Sequence, residues 1–214
     1  MERKPVCIIF GAGEPPTHPP IIASCDLVIA ADGGYGHLRS MGVRTDVLIG
    51  DFDSIGALPS KKDGPRMRRL PCEKDETDML AALKYGLGCG FTRFHIYGGT
   101  GGRLDHTLAN IQCLAFLANQ GARGYLYEGD TVVTAFKGEM RLEERHHGVL
   151  SVFALGGTAK GVCLRGLKYE LEGATISCDF PIGISNVFTG HPVFIKVEHG
   201  VLAVVYPVGT LEYN

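Results

Sequence analysis

Short apolar runs that alternate with helical patterns dominate residues 5–127, and they constrain the fold more than any other feature of the chain. The runs are continuous rather than alternating in polarity, which is typical of strands buried on both faces in a parallel sheet covered by helices. The pattern predicts strands at Val6–Phe10, Leu27–Ala31, Val47–Ile49, Phe94–Tyr97 and Gly124–Tyr127. Because helices are predicted over Thr77–Gly86 and Asp105–Asn119, we expect an α/β first domain.

After about residue 129 the chain changes to short β-rich runs separated by glycine-containing turns, with no long helical pattern. This spacing is typical of an antiparallel sandwich or barrel. The predicted strands are Thr131–Phe136, Val149–Ala154, Gly161–Leu164, Ala174–Ser177, His191–Val197 and Val201–Tyr206. We therefore predict an α/β domain over residues 1–129 and an antiparallel β domain over residues 130–214.

The overall charge and the cysteines place limits on the class of protein. A net charge of -2 gives no indication of a nucleic-acid or membrane partner. The apolar run that ends at Phe10 is too short for a signal sequence or a membrane span, so we expect a cytoplasmic protein. The seven cysteines are scattered and never spaced as C-x-x-C, which indicates mostly buried thiols in a reducing compartment rather than a zinc site or a disulfide framework.

The segment Gly50-Asp51-Phe52-Asp53-Ser54 places two carboxylates one residue apart at the end of a predicted buried strand. If the chain remains extended there, Asp51 and Asp53 point to the same face, where their like charges repel. A hard divalent cation such as Mg²⁺ between them would make the arrangement favourable, since Mg²⁺ takes oxygen ligands. A surface turn is the alternative for this segment taken alone.

Two further clusters of polar residues lie next to predicted strands or helices, where they could bind a ligand. Asp32-Gly33-Gly34 comes directly after a predicted strand, where ligands bind in open α/β sheets, although a simple strand-to-helix turn fits it equally well. The run from Lys74 to Asp78 combines a cation, the Thr77 hydroxyl and carboxylates just before a predicted helix. Helix capping and metal ligation both remain open for Asp78.

The segment from Gly98 to His106 is the densest signal in the chain. Four of its residues are glycines, and it lies between a predicted strand and a predicted helix, so its backbone N–H groups can converge on phosphate oxygens. Arg103 adds a fixed fork of donors for a phosphate. The loop is neither a Walker A motif nor a good dinucleotide fingerprint.

Together these clusters predict a single site at one edge of the sheet. Asp51, Asp53, Asp78 and Asp105 supply carboxylates, and Lys74 and Arg103 supply cations. Carboxylates, cations and a glycine-rich backbone match the requirements of phosphoryl-type transfer, in which the protein positions groups and stabilises charge. No Ser-His-Asp or Cys-His set competes with this interpretation.

The ordered set of motifs resembles the thiamine pyrophosphokinase family. The resemblance covers most of the chain and both predicted domains, and Gly50-Asp51-Phe52-Asp53-Ser54 is its most specific member. The other members are Asp32-Gly33-Gly34, Asp75-Glu76-Thr77-Asp78, Gly101-Gly102-Arg103-Leu104-Asp105-His106 with Asn110, Gly166-Leu167-Lys168-Tyr169 with Leu171, and Ser185-Asn186.

The resemblance implies a three-layer α/β/α domain followed by a β-sandwich domain, in a homodimer with active sites at the subunit interface. The implied reaction moves the β,γ-diphosphate of ATP to the hydroxyl of thiamine, giving thiamine diphosphate and AMP. It further implies that Mg²⁺ is held by Asp51, Asp53 and Asp78, and that Asp105 lies beside the reacting groups. The implied ATP-binding residues are Asp32, Gly33, Gly34, Lys74, Thr77, Gly101, Gly102 and Arg103, and the implied thiamine-binding residues are Asp105, Ser185 and Asn186.

One departure concerns the thiamine ring, because animal members of the family place a tryptophan against it and this chain has none. Phe188 is our candidate for that role. A diphosphokinase acting on a pterin alcohol and a non-catalytic binding regulator are the alternative functions. The Ser185-Asn186 match favours thiamine over a pterin, and the number of retained carboxylates argues against a regulator.

Overall fold

The structure is a computed structural model that describes residues 4–53, 55, 64–71 and 75–213. Its contacts divide the chain into two compact units. The first unit comprises Met1–Asn110 with Leu126–Gly129, and the second comprises Ile111–Tyr125 with Asp130–Asn214. The domain boundary after residue 129 stays a prediction.

Five strands of the first unit form a parallel sheet in the order β5-β1-β2-β3-β4. Strands β1, β2 and β3 are built almost entirely from apolar residues and are buried along nearly their whole length, as continuous apolar runs predict. The bounds are β1 Cys7–Phe10, β2 Leu27–Ala31, β3 Val47–Gly50, β4 Arg66–Arg69 and β5 Arg93–Tyr97.

Helices cover both faces of this sheet. Leu38 of α1 belongs to a core cluster with Ile8 and Phe10 of β1. The alternate residue Cys7 points to the opposite face, where its Sγ lies against Gly86 of α2. This two-sided cover is the physical reason for the unbroken apolar runs. The helices are α1 Gly34–Ser40, α2 Asp78–Gly88 and α3 Leu104–Asn119.

The second unit is antiparallel in all of its described pairings. Its long strand β12 pairs with β7 along most of its length, with β9 over its first half and with β8 over its second half. The bounds are β7 Thr131–Leu142, β8 Val149–Ala154, β9 Ala159–Arg165, β10 Leu171–Ile176, β11 Asn186–Val187, β12 Val193–Pro207 and β13 Glu212–Tyr213; β6, Arg123–Glu128, has residues in both units.

The predicted fold class is confirmed, and the structure adds two elements and changes one expectation. Helix α1 was not among the predicted helices, although a strand-to-helix turn was one interpretation of Asp32-Gly33-Gly34, and β4 was not predicted because its sequence, Arg-Met-Arg-Arg, contains no apolar run. The two strands predicted at His191–Val197 and Val201–Tyr206 form one strand, β12. At their junction Gly200 has φ +94°, and the register shifts between Val197 and Leu202, so the chain makes a bulge instead of a turn.

In the part of the chain that the structure describes, no helix is long and apolar enough to cross a membrane.

Candidate functional site

The first unit has a cleft of about 600 Å³ at the carboxyl edge of its parallel sheet. Parallel strands end at the same edge, so the segments that follow Phe10, Ala31 and Tyr97 lie side by side there. The predicted site residues that line the cleft are Asp32, Thr77, Asp78, Gly101, Gly102 and Arg103. The structure therefore brings together groups that are separated by up to about seventy positions in the chain. Gly33, Gly34, Asp51, Asp53 and Asp105 are not among the lining residues.

Two glycine-containing loops form one wall of this cleft. The backbone N–H of Gly11 donates to the Tyr97 carbonyl, and that of Gly13 donates to the Gly98 carbonyl, each at 2.8 Å. A Cβ on Gly13 would lie 2.0 Å from the Thr100 carbonyl oxygen, so only glycine fits. The sequence analysis missed Gly11 and Gly13. Their position directly after the first apolar run was the signal that could have identified them.

Side chains from two helices hold these loops. Asn110 of α3, which is 7% exposed, donates from Nδ2 to the Gly99 carbonyl at 2.6 Å. His37 of α1 places Nε2 2.8 Å from the Gly13 carbonyl oxygen, which requires the proton on that nitrogen. Asn110 occurs in the family motif without an assigned role, and His37 was not considered.

Asp32 and Gly34 lie where β2 passes into α1. Asp32 is half-buried, lines the cleft and has φ +46°. Gly34 serves packing, because a Cβ there would lie 1.9 Å from the Phe10 carbonyl oxygen. The close approach of α1 to β1 therefore requires a glycine at position 34, whether or not Gly34 also contacts a ligand.

Thr77 is the N-cap of α2, since its Oγ1 accepts a hydrogen bond from the Leu80 N–H at 3.1 Å. Asp78 is the first residue of the helix. Both residues lie in the cleft wall at the positive end of the helix dipole, which favours anionic groups. Lys74 and Ser54 lie outside the described residues.

The turn at Asp51–Asp53 differs from the expectation. Strand β3 ends at Gly50, and Phe52 has φ +69°, so the assumption of an extended chain through Asp53 is wrong. Asp51 instead accepts a hydrogen bond at Oδ1 from the Asp53 N–H at 3.1 Å, which forms an Asx turn. The turn joins the Asp51 carboxylate to the Asp53 backbone, and the two residues do not share one face of a strand.

Arg103 and Asp105 form a bidentate ion pair on the surface at the start of α3. Nε of Arg103 donates to Oδ1 at 3.1 Å, and Nη2 donates to Oδ2 at 2.6 Å. The hydrogen bond from Arg103 is the largest cause of a lowered pKa for the Asp105 carboxyl group. Asp105 is therefore an anion and a weak proton acceptor at neutral pH.

Across the described residues, no group of three His, Cys, Asp or Glu side chains is close enough to hold a metal ion in this conformation. The donor chemistry nevertheless fits a hard cation, because Asp51, Asp53 and Asp78 offer only carboxylate oxygens. Their assignment as a ligand set stays a prediction.

In the second unit, Asn186 uses its side chain to hold backbone. Its Oδ1 accepts from the Tyr169 N–H at 2.9 Å, and its Nδ2 donates to the Tyr169 carbonyl at 2.6 Å. Ser185 is exposed and has φ +59°, and its N–H donates to Ser151 Oγ at 3.0 Å. The expectation for Phe188 is wrong, since this ring is 2% exposed and buried in the core. Tyr169, at 57% exposure, is an accessible aromatic residue whose backbone Asn186 holds; Phe180, at 68%, is also exposed.

Comparisons with known proteins match both parts of the chain. The family model described as "Thiamin pyrophosphokinase, catalytic domain" matches residues 19–126. A second model, described as "Thiamin pyrophosphokinase, vitamin B1 binding domain", matches residues 139–202.

Individual relatives agree with the family models. The chain is 30% identical over 165 residues to a thiamine pyrophosphokinase of Bacillus subtilis, which covers 75% of this chain and 77% of the relative. It is 26% identical over 181 residues to thiamin pyrophosphokinase 1 of Caenorhabditis elegans, covering 78% of this chain and 74% of the relative. The crystal structure of thiamine pyrophosphokinase from Bacillus subtilis matches with a TM-score of 0.82 at 25% identity, covering 96% of this chain and 100% of that chain.

Proposed function

The chain belongs to the thiamine pyrophosphokinase family and is a diphosphotransferase, and we propose that it transfers the β,γ-diphosphate of ATP to thiamine with Mg²⁺. The thiamine hydroxyl oxygen forms a bond to the β-phosphorus as the bond from that phosphorus to the α-phosphate oxygen breaks. AMP leaves, thiamine diphosphate is formed, and the hydroxyl proton passes to solvent.

The observation that carries the proposal is the single cleft that unites Thr77, Asp78, Arg103 and the glycine loops. Thr77 and Arg103 contact the phosphates of ATP, together with the backbone around Gly101 and Gly102. Asp32, Gly33 and Gly34 lie at the adjacent strand end and complete the nucleotide site, with Lys74 proposed from the sequence alone. These groups position the donor and stabilise its charge, which is most of what diphosphate transfer requires of a protein.

Asp51, Asp53 and Asp78 are the residues that we propose to hold Mg²⁺. Held there, a Mg²⁺ ion would supply positive charge to offset the negative charge that develops on the phosphates. Asp105 lies beside the reacting groups, and its lowered pKa suits it to orient the thiamine hydroxyl by accepting a hydrogen bond rather than to keep the proton.

On the thiamine side, Ser185 and Asn186 form part of the acceptor pocket. Asn186 acts by fixing the backbone of Tyr169, whose exposed ring then offers a face for a thiamine ring. We further propose a homodimer in which each active site lies at the subunit interface, with these residues supplied by the second copy. The described cysteines are all free thiols, in keeping with a cytoplasmic location.

The direct test follows AMP release from ATP with Mg²⁺ and thiamine. We expect AMP to appear only when thiamine is present and to match thiamine diphosphate in amount. A 6-hydroxymethylpterin is the comparison acceptor, because it presents the same kind of alcohol on a different ring. Absence of thiamine-dependent AMP, or faster turnover of the pterin, would contradict the proposal.

A further inference from the structure

We infer that Arg69 is a positioning residue that holds the Asp51–Asp53 turn in the shape its carboxylates need to hold the metal. The inference rests on the proposed function, because it assigns a purpose to a conformation of the proposed metal ligands. Arg69 lies on β4, the strand that the sequence analysis missed, and it carries no role in any of the motifs above.

The turn contains a strained residue. Phe52 has φ +69°, a left-handed conformation that a residue with a bulky side chain rarely adopts. Such a conformation persists only where surrounding contacts favour it over the relaxed alternatives. One of those contacts is the burial of the Phe52 ring, which is 6% exposed and packs in the core cluster that includes Phe10 and Leu48.

Arg69 contacts the strained residue and the residue before it. Nε and Nη2 of Arg69 each donate to the Asp51 carbonyl oxygen at 3.3 Å. The same guanidinium lies with Cζ 5.8 Å from the centroid of the Phe52 ring, within the range of a cation–π interaction. The parallel pairing of β3 with β4 aligns Arg69 with Gly50, so the sheet itself delivers the guanidinium to this turn.

These contacts fix the backbone from which both carboxylates project. The Asx turn joins Asp51 Oδ1 to the Asp53 N–H, so movement of the Asp51 peptide would also move Asp53. The guanidinium is planar and its charge is delocalised. It can therefore donate hydrogen bonds to the Asp51 carbonyl and at the same time lie against the Phe52 ring. A lysine ammonium would keep the charge without that geometry. Groups that orient metal ligands typically change metal affinity by about 10-fold to 100-fold when removed.

The test compares Arg69→Met with Arg69→Lys and with the matched control Arg66→Met. Arg66 lies three residues away on the same exposed strand, and its side chain points to the opposite face. Hydrogen exchange of the nucleotide-free protein reports on the Asp53 N–H, and the Mg²⁺ concentration at half-maximal AMP formation reports on metal affinity.

For Arg69→Met we expect at least fivefold faster exchange in the segment around residue 53 and a Mg²⁺ midpoint raised by about tenfold. Arg69→Lys should show intermediate changes in the exchange rate and in the Mg²⁺ midpoint. If Arg69→Met does not fold, Arg69→Lys provides the test in its place. Arg66→Met should match the wild type. Unchanged exchange and an unchanged Mg²⁺ midpoint in both Arg69 variants would overturn the inference.

A raised KM for ATP with unchanged exchange would also overturn it, since Arg69 would then contact the substrate directly. If the wild type forms no thiamine-dependent AMP, the proposed function fails. The exchange comparison would still decide whether Arg69 holds the turn.

Discussion

The carboxyl edge of the parallel sheet and the segment around Asn186 use their polar groups in opposite ways. At the sheet edge, Thr77, Asp78 and Arg103 line an open cleft, and glycines keep the neighbouring backbone free of side chains. In the second unit, Asn186 is 5% exposed, and its side-chain amide forms hydrogen bonds with the backbone N–H and carbonyl of Tyr169. The first region presents polar groups to a ligand, whereas the second uses a polar group to shape the chain and leaves an aromatic ring exposed.

The difference follows from topology. Parallel strands end at the same edge of the sheet and are followed there by loops and helix N-termini. The first N–H groups of a helix have no partners within the helix. Antiparallel strands return through turns whose backbone groups must be satisfied locally, and side-chain amides do this well. The phosphate-binding role proposed for the first region and the ring-binding role proposed for the second agree with this difference.

The largest expected effect comes from removing a carboxylate at the sheet edge. We expect Asp51→Asn to lower kcat on the order of 100-fold or more, because it removes charge from the proposed metal site. The urea midpoint of unfolding should stay close to that of the wild type, since the side chain is only half-buried. Asp179→Asn, an exposed carboxylate of the second unit, is the matched control. Normal turnover of Asp51→Asn would remove this residue from the metal site.

A second prediction concerns the glycine loop. Asn110→Ala leaves the buried Gly99 carbonyl without its donor, which we expect to cost about 1–3 kcal/mol of unfolding free energy. The loosened loop should also raise the KM for ATP by about tenfold, which corresponds to about 1.4 kcal/mol of binding free energy. Urea unfolding and initial rates measure the two effects. Asn119→Ala, at the exposed end of α3, should change neither, and equal effects in both variants would contradict a loop-specific role.

The aromatic surface of the second unit gives a smaller effect. Tyr169→Ala should raise the KM for thiamine by about fivefold to tenfold and leave the KM for ATP unchanged, because ring stacking contributes about 1–3 kcal/mol. Tyr169→Phe keeps the ring and should behave as the wild type. If Tyr169→Phe loses as much as Tyr169→Ala, the hydroxyl rather than the ring face is responsible.

The smallest effect is on the titration of two surface carboxylates, one in each region. Arg103→Gln should raise the pKa of Asp105 toward its ordinary value, and Arg165→Gln should do the same for Glu172, because the arginine hydrogen bond is the largest cause of each lowered pKa. In both pairs the folded-state pKa is below the unfolded one. Each interaction therefore stabilises the fold above the unfolded pKa and is lost as the pH falls through the folded value.

Carbon-13 NMR titration of the carboxyl groups measures both shifts. Only Arg103→Gln should also raise the KM for ATP, since Arg165 belongs to the second unit. A raised KM for ATP in both variants would contradict the division of roles between the two regions.

Much of the site could be predicted from the sequence, and the failures have separate causes. Thr77, Asp78 and Arg103 follow strands or precede helices whose apolar patterns are strong, so their meeting at one edge follows from parallel topology. Gly13 was missed although it follows the first apolar run closely, whereas Arg69 was missed because it acts through a contact with a segment distant in the chain. Phe188 was misassigned because aromatic character does not distinguish a buried ring from an exposed one.

The sequence by itself determined the α/β and antiparallel β classes, the glycine-rich loop that begins at Gly98 and the acidic motifs, since periodicity and turn chemistry act over neighbouring residues. Only the tertiary structure decided that Asp51 and Asp53 are joined by a left-handed turn at Phe52, which Arg69 contacts from an adjacent strand. It also decided that Asn186 holds the Tyr169 backbone. Backbone strain and long-range hydrogen bonds depend on which segments pack together, and packing is a property of the whole fold.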